Sequence, residues 1–491
     1  MEHSKRQKDL YYTFENEYVN ILASSVAGSG KTTTLIEMLK RADKSCLFLA
    51  FNKSIKEEIE TTIDDLGIHN AKASTLHSLG LKTLARSGKK FTVKGNKSWE
   101  LMNIFQKQES QYFKGLKFKD KMSFIIGLIS MLDAKRLFVC KDHEEIQEAL
   151  LTMGNPLKVT KKLQEAFDSY WEIYREMTYQ GDPIIDFTDM IYIPATASKL
   201  IIPVQPAYLF IDECQDLSVA QHMFIDKIIN KPTTKKWVAV GDPYQAIYGF
   251  GGSSVKSYNM FKDKDNVKSL PLDVCYRCPT SVVEEANKVF DIMQPFKGEK
   301  GTVSDSATIS DIKDNSLVLC RNVSPLIELY LTMLEQNREV YIKGKDIIAP
   351  IIKFVKSDSK RKLGKVIENI KSEIASLDPE DSSDKLKHFI NTENLKSIMI
   401  FKNFLNLSDD TLTQDFMNEL DALQKRTKTK NAVELSTIHK AKGLGKDTVY
   451  ILNRELIPSK FATTKEQLQQ EKNLLYVAIT RAKQELYYIN I

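Results

Sequence analysis

The stretch Ser24–Leu35, with the sequence SSVAGSGKTTTL, decides how the first part of this chain folds. It lies between an apolar run at 19–23 and a helical pattern that continues to Leu39, so it predicts a strand, a loop and a helix. Gly28 and Gly30 allow a tight turn that points successive N–H groups into one concavity at a helix N-terminus, where an anion is favoured. The stretch therefore predicts a phosphate-binding loop.

The same loop carries the side chains that a nucleotide needs. Lys31 brings a mobile positive charge for the outer phosphates, and Thr32 offers a hydroxyl to a magnesium ion. The usual pattern G-x-x-x-x-G-K-[ST] has glycine where this chain has Ser25, so a serine-rich turn with a chance Gly-Lys-Thr is the alternative. The residues expected to bind the nucleotide here are Ala27, Gly28, Ser29, Gly30, Lys31, Thr32 and Thr33.

Length and composition indicate a globular protein of several domains. The 491 residues exceed what a single core organises, and 42% hydrophobic with 27% charged residues excludes a fibrous or wholly disordered chain. No apolar run is long enough to cross a bilayer, and residues 1–8 lead into no signal-peptide core. We therefore expect a soluble, intracellular protein without membrane contact, whose net charge of +6 suits a polyanionic partner.

Six cysteines are scattered along the chain. Most lie in apolar runs, where a thiol behaves as a small buried hydrophobe, so no disulfide framework is expected. Cys275 and Cys278 have C-x-x-C spacing, but no second pair of cysteines or histidines follows at zinc-finger distance. No metal site is predicted at this pair.

Two further strands precede polar segments. The continuous apolar run 46–51 is typical of a strand buried on both faces, and Asn52 opens the helix after it. The strand end at 73–79 carries Thr75 and His77, which either contact a phosphate backbone or begin a capped helix. Strands that alternate with helices indicate a parallel α/β sheet, whose ligands bind at the carboxyl ends of the strands.

The apolar strand 208–211 ends in two adjacent carboxylates, Asp212 and Glu213. A phosphate-loop ATPase needs this pair. Asp212, with Thr32, is expected to hold the magnesium ion, and Glu213 to orient or deprotonate the attacking water. On its own, such a pair of acidic residues is common in loops. The phosphate loop at Lys31 in the same chain makes a chance occurrence improbable.

Another buried strand, 237–241, runs into the loop GDPYQAIYGF. Gln245 in this loop is a candidate sensor of the γ-phosphate. Tyr248 and Phe250 present rings that either stack on the bases of a single strand, worth about 1–3 kcal/mol per base, or pack in the core. Both uses of the two rings stay open at this point.

Taken in order, these motifs resemble those of superfamily 1 helicases of the UvrD/Rep type. GSGKT, the Phe-Asn-Lys-Ser helix start, TLHS, DECQD and GDPYQAIYGF are similar to successive family motifs, and the Ala-Phe-Asn-Lys-Ser form resembles the F-box DNA helicase branch. The later segments LPLDVCYR (270–277), LSTIHKAKGL (435–444) and LLYVAITRAK (474–483) resemble further motifs. The resemblance extends over nearly the whole chain.

The resemblance implies roles for residues in the second half. Tyr276 is expected to stack on adenine, Arg277 to reach the γ-phosphate and His439 to link DNA to nucleotide. Arg481 is expected to be an arginine finger that compensates transition-state charge, with a surface ion pair as the alternative. Near the start of the chain, Gln7 is a candidate for reading the adenine edge, with a solvated helix as the alternative. The expected DNA contacts are Asn52, Thr75, His77, Tyr248, Phe250 and His439.

Two positions depart from the family pattern. Relatives usually have a ribose-contacting glutamate where this chain has Gly445, so the sugar contact is not carried over. The family's base-stacking phenylalanine precedes Asn-Lys by two positions, whereas Phe51 is adjacent to Asn52. Phe51 is therefore not among the expected DNA contacts.

The expected fold is α/β, with two RecA-like parallel-sheet motor domains that each carry a mainly helical insertion. ATP and magnesium are expected between the motor domains, and single-stranded DNA across both. The expected boundaries are 1–85 and 183–270 for the first motor domain, 86–182 for its insertion, 271–343 and 431–491 for the second motor domain, and 344–430 for the small second insertion.

The function implied by the resemblance is that of an ATP-dependent single-stranded DNA translocase and 3′–5′ DNA helicase. Its expected partners are single-stranded and forked duplex DNA, with proteins of repair, recombination or replication. It is expected to be a monomer in the cytoplasm, near the nucleoid, or in a host cytoplasm if a phage encodes it. Two alternatives stay open: a translocase that strips proteins or recombinase filaments from DNA with little unwinding, and a phosphate-loop kinase or nucleotide switch without a nucleic-acid role.

Overall fold

The protein divides into two compact units, Met1–Val274 and Cys275–Ile491. The structure is a computed structural model, and each unit contains one six-stranded sheet. Tyr248 and Phe250, two of the expected DNA contacts, lie outside the described residues. The structure describes residues 3–155, 157–247, 255–296, 298–342, 344–355, 361–377, 382–425 and 427–491.

The first unit is built on a parallel sheet. Its strands are β1 (Asn20–Ser25), β2 (Cys46–Ala50), β3 (Ala71–Thr75), β6 (Tyr208–Ile211), β7 (Lys236–Gly241) and β8 (Val267–Leu272), while β4 (Thr92–Val93) and β5 (Ile184–Ile185) form a separate short pair. The order across the main sheet is β3-β2-β6-β7-β1-β8, and each neighbouring pair is parallel. The carboxyl ends of β1, β6 and β7 therefore share one edge of the sheet.

Helices cover both faces of this sheet and form the inserted segment. They are α1 (Lys5–Asn16), α2 (Lys31–Arg41), α3 (Lys53–Asp65), α4 (Leu76–Ala85), α5 (Lys97–Gln108), α6 (Phe118–Phe138), α7 (His143–Thr152), α8 (Lys161–Tyr179), α9 (Asp189–Thr196), α10 (Val219–Ile229) and α11 (Val255–Lys262). Adjacent strand residues enter opposite cores, as Ile21 and Leu22 do. This two-sided burial explains why the strands are continuous apolar runs rather than alternating ones.

Close packing of α4 on α9 requires a glycine. A Cβ at Gly80 would lie 1.8 Å from the carbonyl oxygen of Met190. Any side chain at this position would force the two helices apart. Because α9 follows the inserted helices and α4 precedes them, this contact joins the two ends of the insertion to each other.

The second unit has its own parallel sheet, with the order β11-β16-β15-β12-β14-β13. Its core contains Val318, Leu435 and Tyr450, together with apolar residues of the helices that follow β13. The strands of this unit are β9 (Val274–Cys275), which begins one residue before the unit, β10 (Gln294–Pro295), β11 (Thr302–Ser304), β12 (Leu317–Cys320), β13 (Val340–Ile342), β14 (Val433–Thr437), β15 (Lys446–Leu452) and β16 (Ala482–Ile489). Its helices are α12 (Thr280–Asn287), α13 (Ser324–Glu335), α14 (Gly344–Val355), α15 (Leu363–Ala375), α16 (Ser382–Phe404), α17 (Thr413–Gln424) and α18 (Lys465–Ile479).

The predicted α/β class with parallel sheets is confirmed, whereas the domain boundaries stay a prediction. One local interpretation is wrong: the N-terminal helix is not simply solvated. Leu10, Tyr11 and Phe14 of α1 pack into the core beside the sheet, and Gln7 is only 3% exposed. Within the described residues, no helix has both the length and the apolar character that a membrane crossing requires.

Candidate functional site

The phosphate loop joins β1 to α2 through two glycines in the left-handed region. Gly28 has φ of 70° and Gly30 has φ of 76°, conformations that glycine adopts without the steric cost of a Cβ. Gly30 is the N-cap of α2, whose first residue is Lys31. The first-turn N–H groups of a helix have no intrahelical acceptor and carry the positive end of the helix dipole, so this turn suits an anion.

Two serine hydroxyls in and beside this loop are unsatisfied. Among the described residues, neither Ser25 Oγ nor Ser29 Oγ has a hydrogen-bond partner, although both side chains are 1% exposed. Buried polar atoms usually have a partner, so this pair fits a loop that takes up a polar ligand. Ser25 is the position where the usual pattern has glycine.

Tertiary folding brings the loop to the carboxylates that follow β6. Lys31 Nζ lies 3.2 Å from Glu213 Oε1, and Thr32 Oγ1 donates to Asp212 Oδ2 at 3.4 Å. Glu213 has the unusual backbone angle φ of 51°, which turns the chain directly after the strand. All four residues belong to the predicted catalytic and magnesium-binding set, and the first unit by itself assembles them.

The carboxylates of this cluster are electrostatically strained. Burial, and then the charge of Glu213, raises the pKa of Asp212 to about 7, and burial raises the pKa of Asp242 to about 6. Burial lowers the pKa of Lys31, but the charges of Glu213, Asp242 and Asp212 outweigh it and the net pKa is raised. One lysine thus faces more negative charge than it can neutralise.

This excess of negative charge fits a divalent cation brought in with phosphates. Mg²⁺ is commonly held by one or two carboxylates together with substrate phosphates rather than by a cage of protein ligands. In keeping with that mode, the described part of the chain has no group of three or more His, Cys, Asp or Glu side chains that could hold a metal. Asp212 and Thr32 are the residues that fit such a partial site.

Asp242 is a buried carboxylate that we did not assign from the sequence. It follows β7, is 0% exposed, and accepts a hydrogen bond from Gln245 Nε2 at 2.6 Å. Its position could have been inferred, because β7 neighbours β6 in the sheet and both strands end at the same edge. Gln245, the predicted γ-phosphate sensor, is 4% exposed.

The side chain of Gln7 contacts the helix that follows the phosphate loop. Its Nε2 donates to Thr34 Oγ1 at 3.0 Å, and its Oε1 accepts from the backbone N–H of Ser4 at 3.0 Å in a capping box at the start of α1. The residue therefore lies beside α2, and its role at adenine stays a prediction.

Two expected DNA contacts are helix caps. Asn52 Oδ1 accepts from the N–H of Ile55 at 2.9 Å, and Thr75 Oγ1 accepts from the N–H of Ser78 at 3.2 Å. The capped-helix alternative for the segment at Thr75 is thus present in the structure. A cap at a helix N-terminus is compatible with a nearby phosphate, and the DNA contacts stay predictions.

His77 has an aromatic neighbour that sequence reasoning missed. The ring of Phe187 lies 6.4 Å from that of His77, centroid to centroid, in an edge-on arrangement, and Phe187 is 60% exposed. The loop that presents Phe187 is held by reciprocal bonds, since the N–H of Asp186 donates to Asp189 and the N–H of Asp189 donates to Asp186. A lone phenylalanine far along the chain offered no sequence signal for this placement.

In the second unit, the Arg481 side chain is buried rather than part of a surface ion pair. It is 1% exposed, its Nε donates to the carbonyl of Val477 at 2.9 Å, and its Nη1 donates to that of Leu444 at 3.1 Å. The half-buried His439 has its pKa lowered to about 4 by burial and then by the charge of Arg321, so its ring is neutral near pH 7.

The C-x-x-C pair surrounds Tyr276 and Arg277, which are both half-buried. Cys275 Sγ accepts from the backbone N–H of Cys278 at 3.3 Å, and the Cys278 thiol donates to the carbonyl of Thr480 at 3.7 Å. The Tyr276 ring lies 4.5 Å from that of Phe296. The thiols therefore connect the turn of Arg277 to the residue before Arg481 within this unit.

A family model described as the UvrD/REP helicase N-terminal domain matches residues 4–266, which is more than half of the chain. The chain belongs to the UvrD/Rep helicase family. A second model, described as the UvrD-like helicase C-terminal domain, matches residues 432–489. The resemblance drawn from the motifs is confirmed.

Similar proteins include an F-box DNA helicase and a Rep helicase. F-box DNA helicase protein 1 of Schizosaccharomyces pombe is 24% identical over 94% of this chain and 54% of its own length. ATP-dependent DNA helicase Rep of Buchnera aphidicola subsp. Schizaphis graminum is 22% identical over 94% of this chain and 89% of its own. The chain thus spans about half the length of the yeast relative. Arterivirus nonstructural protein 10, a helicase of solved structure, aligns over 99% of this chain and 61% of its own with a TM-score of 0.35 and 12% identity, a score too low to support an argument.

Proposed function

We propose that this member of the UvrD/Rep family is an ATP-dependent DNA helicase that moves 3′–5′ along single-stranded DNA and separates forked duplexes. The observation that carries the proposal is the pairing of Lys31 with Glu213 beside Thr32 and Asp212. The four side chains lie at one edge of one sheet, which supports the roles proposed for them in binding phosphate, holding magnesium and activating water. The names of the relatives, which are DNA helicases, support the same class of activity.

In the proposed reaction the first unit binds ATP through the phosphate loop. Asp212 and Thr32 would hold Mg²⁺, which would supply positive charge that offsets the charge of the phosphates. Glu213 accepts a proton from the attacking water, and Gln245 contacts the γ-phosphate. Lys31, which in this structure pairs with Glu213, would exchange that partner for the phosphates.

The second unit contributes arginines in the proposed reaction. Arg277 and Arg481 stabilise the charge that develops on the γ-phosphate, and Tyr276 stacks on the base. The Arg481 guanidinium is buried and donates to the carbonyls of Val477 and Leu444 and to the Thr480 hydroxyl. Arg481→Ala is expected to reduce turnover by about 10³-fold or more, the range for an arginine finger, with less effect on ATP binding.

DNA is proposed to contact both units through backbone and stacking interactions, hence with little sequence preference. In the first unit the contacts proposed are Asn52, Thr75 and His77, to which we add Phe187. In the second unit the contact proposed is His439. Tyr248 and Phe250 are also proposed as DNA contacts, on the basis of the sequence alone.

The first experiment measures ATP turnover with and without a single-stranded oligonucleotide. Strong stimulation by DNA is expected, with Lys31→Met as the inactive control. Turnover that DNA does not change would instead favour the nucleotide switch without a nucleic-acid role.

The second experiment measures strand separation on duplexes with a 3′ or a 5′ tail. Unwinding of the 3′-tailed substrate alone is expected. Displacement of a bound protein without strand separation would favour the translocase alternative. Repeating the assay with GTP and dATP tests whether the lack of a ribose-contacting glutamate at Gly445 changes nucleotide selectivity. A Cβ added at Gly445 would lie 3.3 Å from the flexible Lys483 side chain, which would have to shift slightly.

A further inference from the structure

The side chain of Gln215, the fourth residue of DECQD, bridges the two loops that follow β6 and β7. It is 0% exposed and uses both ends of its amide. Its Nε2 donates to Glu213 Oε2 at 2.5 Å and to Asp216 Oδ2 at 3.3 Å, while its Oε1 accepts from the backbone N–H of Asp242 at 2.9 Å. The proposed function assigns this residue no role.

The partners of the amide fix its orientation. An amide nitrogen carries two donors and its oxygen accepts only. If the amide were flipped, its oxygen would face the carboxylates of Glu213 and Asp216, and its NH₂ would face the N–H donor of Asp242. Gln215 is thus held in one arrangement by charged groups and backbone rather than by shape alone.

The two loops approach each other so closely that a glycine is required between them. A Cβ at Gly241, the last residue of β7, would lie 2.6 Å from Cys214 Sγ and 2.6 Å from Gln215 Oε1. The Gln215 amide is therefore packed against the end of β7 as well as hydrogen-bonded to the residue after it. Any displacement of the loop at Asp242 would therefore press on or pull this side chain.

The bonds form a continuous chain from one proposed catalytic group to another. Gln245 Nε2 donates to the Asp242 carboxylate at 2.6 Å, the N–H of Asp242 donates to Gln215, and Gln215 donates to Glu213. The other carboxylate oxygen of Glu213 faces Lys31 at 3.2 Å. Gln215 and Lys31 thus contact different oxygens of the same carboxylate.

We propose that Gln215 is a positioning residue that orients the Glu213 carboxylate and couples it to Gln245 through Asp242. This inference rests on the proposed ATPase function. When Gln245 moves to contact a γ-phosphate, the loop at Asp242 shifts, and the amide of Gln215 carries that shift to the general base. Glu213 is thus oriented for hydrolysis only when Gln245 contacts the γ-phosphate.

The test compares two variants with the wild-type protein. Gln215→Met keeps the approximate volume but removes the bridge, and kcat is expected to fall on the order of 10- to 100-fold with KM for ATP changed less than about twofold. Gln215→Glu keeps the shape but places a carboxylate against Glu213, so kcat is expected to fall and the acid limb of its pH profile to move to higher pH. Gln221→Glu is the matched control, because Gln221 is a capping-box residue of α10 where glutamate serves equally well.

The outcomes separate this inference from the proposed function. A wild-type protein without ATP turnover would overturn the function itself. An active wild-type protein, with folded Gln215 variants that keep its kcat and its pH profile, would overturn the role of Gln215 alone. A fall in kcat that matches a loss of folded protein, with an unmoved pH profile, would show that Gln215 acts only in packing. If Gln215→Glu does not fold, the split between kcat and KM in Gln215→Met decides.

Discussion

The first unit contains two buried clusters of charged side chains that are built in opposite ways. One is the nucleotide cluster, defined as Lys31, Asp212, Glu213 and Asp242. The other, which we call the insertion cluster, joins the inserted helices to α9. Its members are Lys97, Asp133, Arg136, Tyr174, Asp186 and Asp189.

In the insertion cluster two cations face three carboxylates, and each carboxylate is ion-paired with Arg136. Lys97 Nζ bonds Asp189 Oδ2 at 2.5 Å, and Arg136 Nη1 bonds Asp189 Oδ1 at 2.9 Å. Burial raises the pKa of Asp189, but the charges of Arg136 and Lys97 outweigh it and bring the pKa to about 2. In the nucleotide cluster the carboxylates outnumber the single lysine, and the pKa of Asp212 and of Asp242 is raised instead.

Burial alone does not make a charged cluster a functional site, because both clusters are buried. In the insertion cluster every carboxylate is ion-paired within the fold, so little charge is left for a ligand to neutralise. A cluster with surplus negative charge is strained until a cation arrives, and such strain is typical of sites that act on ligands.

Removing the proposed general base should have the largest effect. Glu213→Gln is expected to lower ATP turnover by about 10²- to 10⁴-fold, the usual contribution of a general base, and to leave ATP binding intact. Steady-state turnover and binding of a fluorescent ATP analogue measure the two quantities, with Glu172→Gln on the surface of α8 as the control. Substantial residual hydrolysis would contradict the role of Glu213.

Removing a cation from each cluster should separate them by stability. Lys97→Met leaves Asp189 without one of its two cations and is expected to lower the free energy of unfolding by about 3–5 kcal/mol. Lys31→Met should cost less, because Asp212 and Asp242 can take up protons near neutral pH. Urea denaturation followed by tryptophan fluorescence measures both, since all three tryptophans lie in the first unit. Equal losses of unfolding free energy in Lys97→Met and Lys31→Met would contradict the proposed difference between the clusters.

The raised pKa of Asp212 predicts how the stability of the nucleotide-free protein depends on pH. Between the usual pKa of about 4 and the folded value of about 7, the folded state binds more protons than the unfolded state. The free energy of unfolding should therefore fall as pH rises from 5 to 8. Asp212→Asn should flatten this decline by at least about 1 kcal/mol, since each unit of pKa shift corresponds to about 1.4 kcal/mol. An unchanged slope in the variant would show that Asp212 is not the strained group.

An exposed ion pair next to the insertion cluster supplies the baseline. Arg175, the residue after Tyr174 on α8, lies 3.1 Å from Glu172, and the two side chains are 57% and 65% exposed. Arg175→Met should change the free energy of unfolding by less than about 0.5 kcal/mol, because solvent screens such pairs. A loss comparable to that of Lys97→Met would mean that burial does not explain the difference.

The strands and the loop chemistry could be predicted from the sequence because they depend on local properties. The predicted strand 208–211 coincides with β6, and the phosphate loop lies between β1 and α2 as the glycines and apolar runs indicate. Parallel strands place their carboxyl ends at one edge of the sheet, so the proximity of Lys31 to the acidic pair could also be predicted approximately. The position of Phe187 could not be predicted from the sequence, because it depends on ion pairs between residues dozens of positions apart.

The α/β class and the order of the motifs follow from residue type and spacing alone, and the motifs carried the resemblance to the family and the predicted chemistry of the candidate nucleotide site. Which groups pair follows from tertiary folding: Lys31 with Glu213, Gln215 with Asp242, and Arg481 with backbone carbonyls and the Thr480 hydroxyl. The physical reason is that a hydrogen bond needs its atoms placed to within a few tenths of an ångström. That placement depends on sheet register, on the left-handed turn at Glu213 and on the closeness that Gly241 permits.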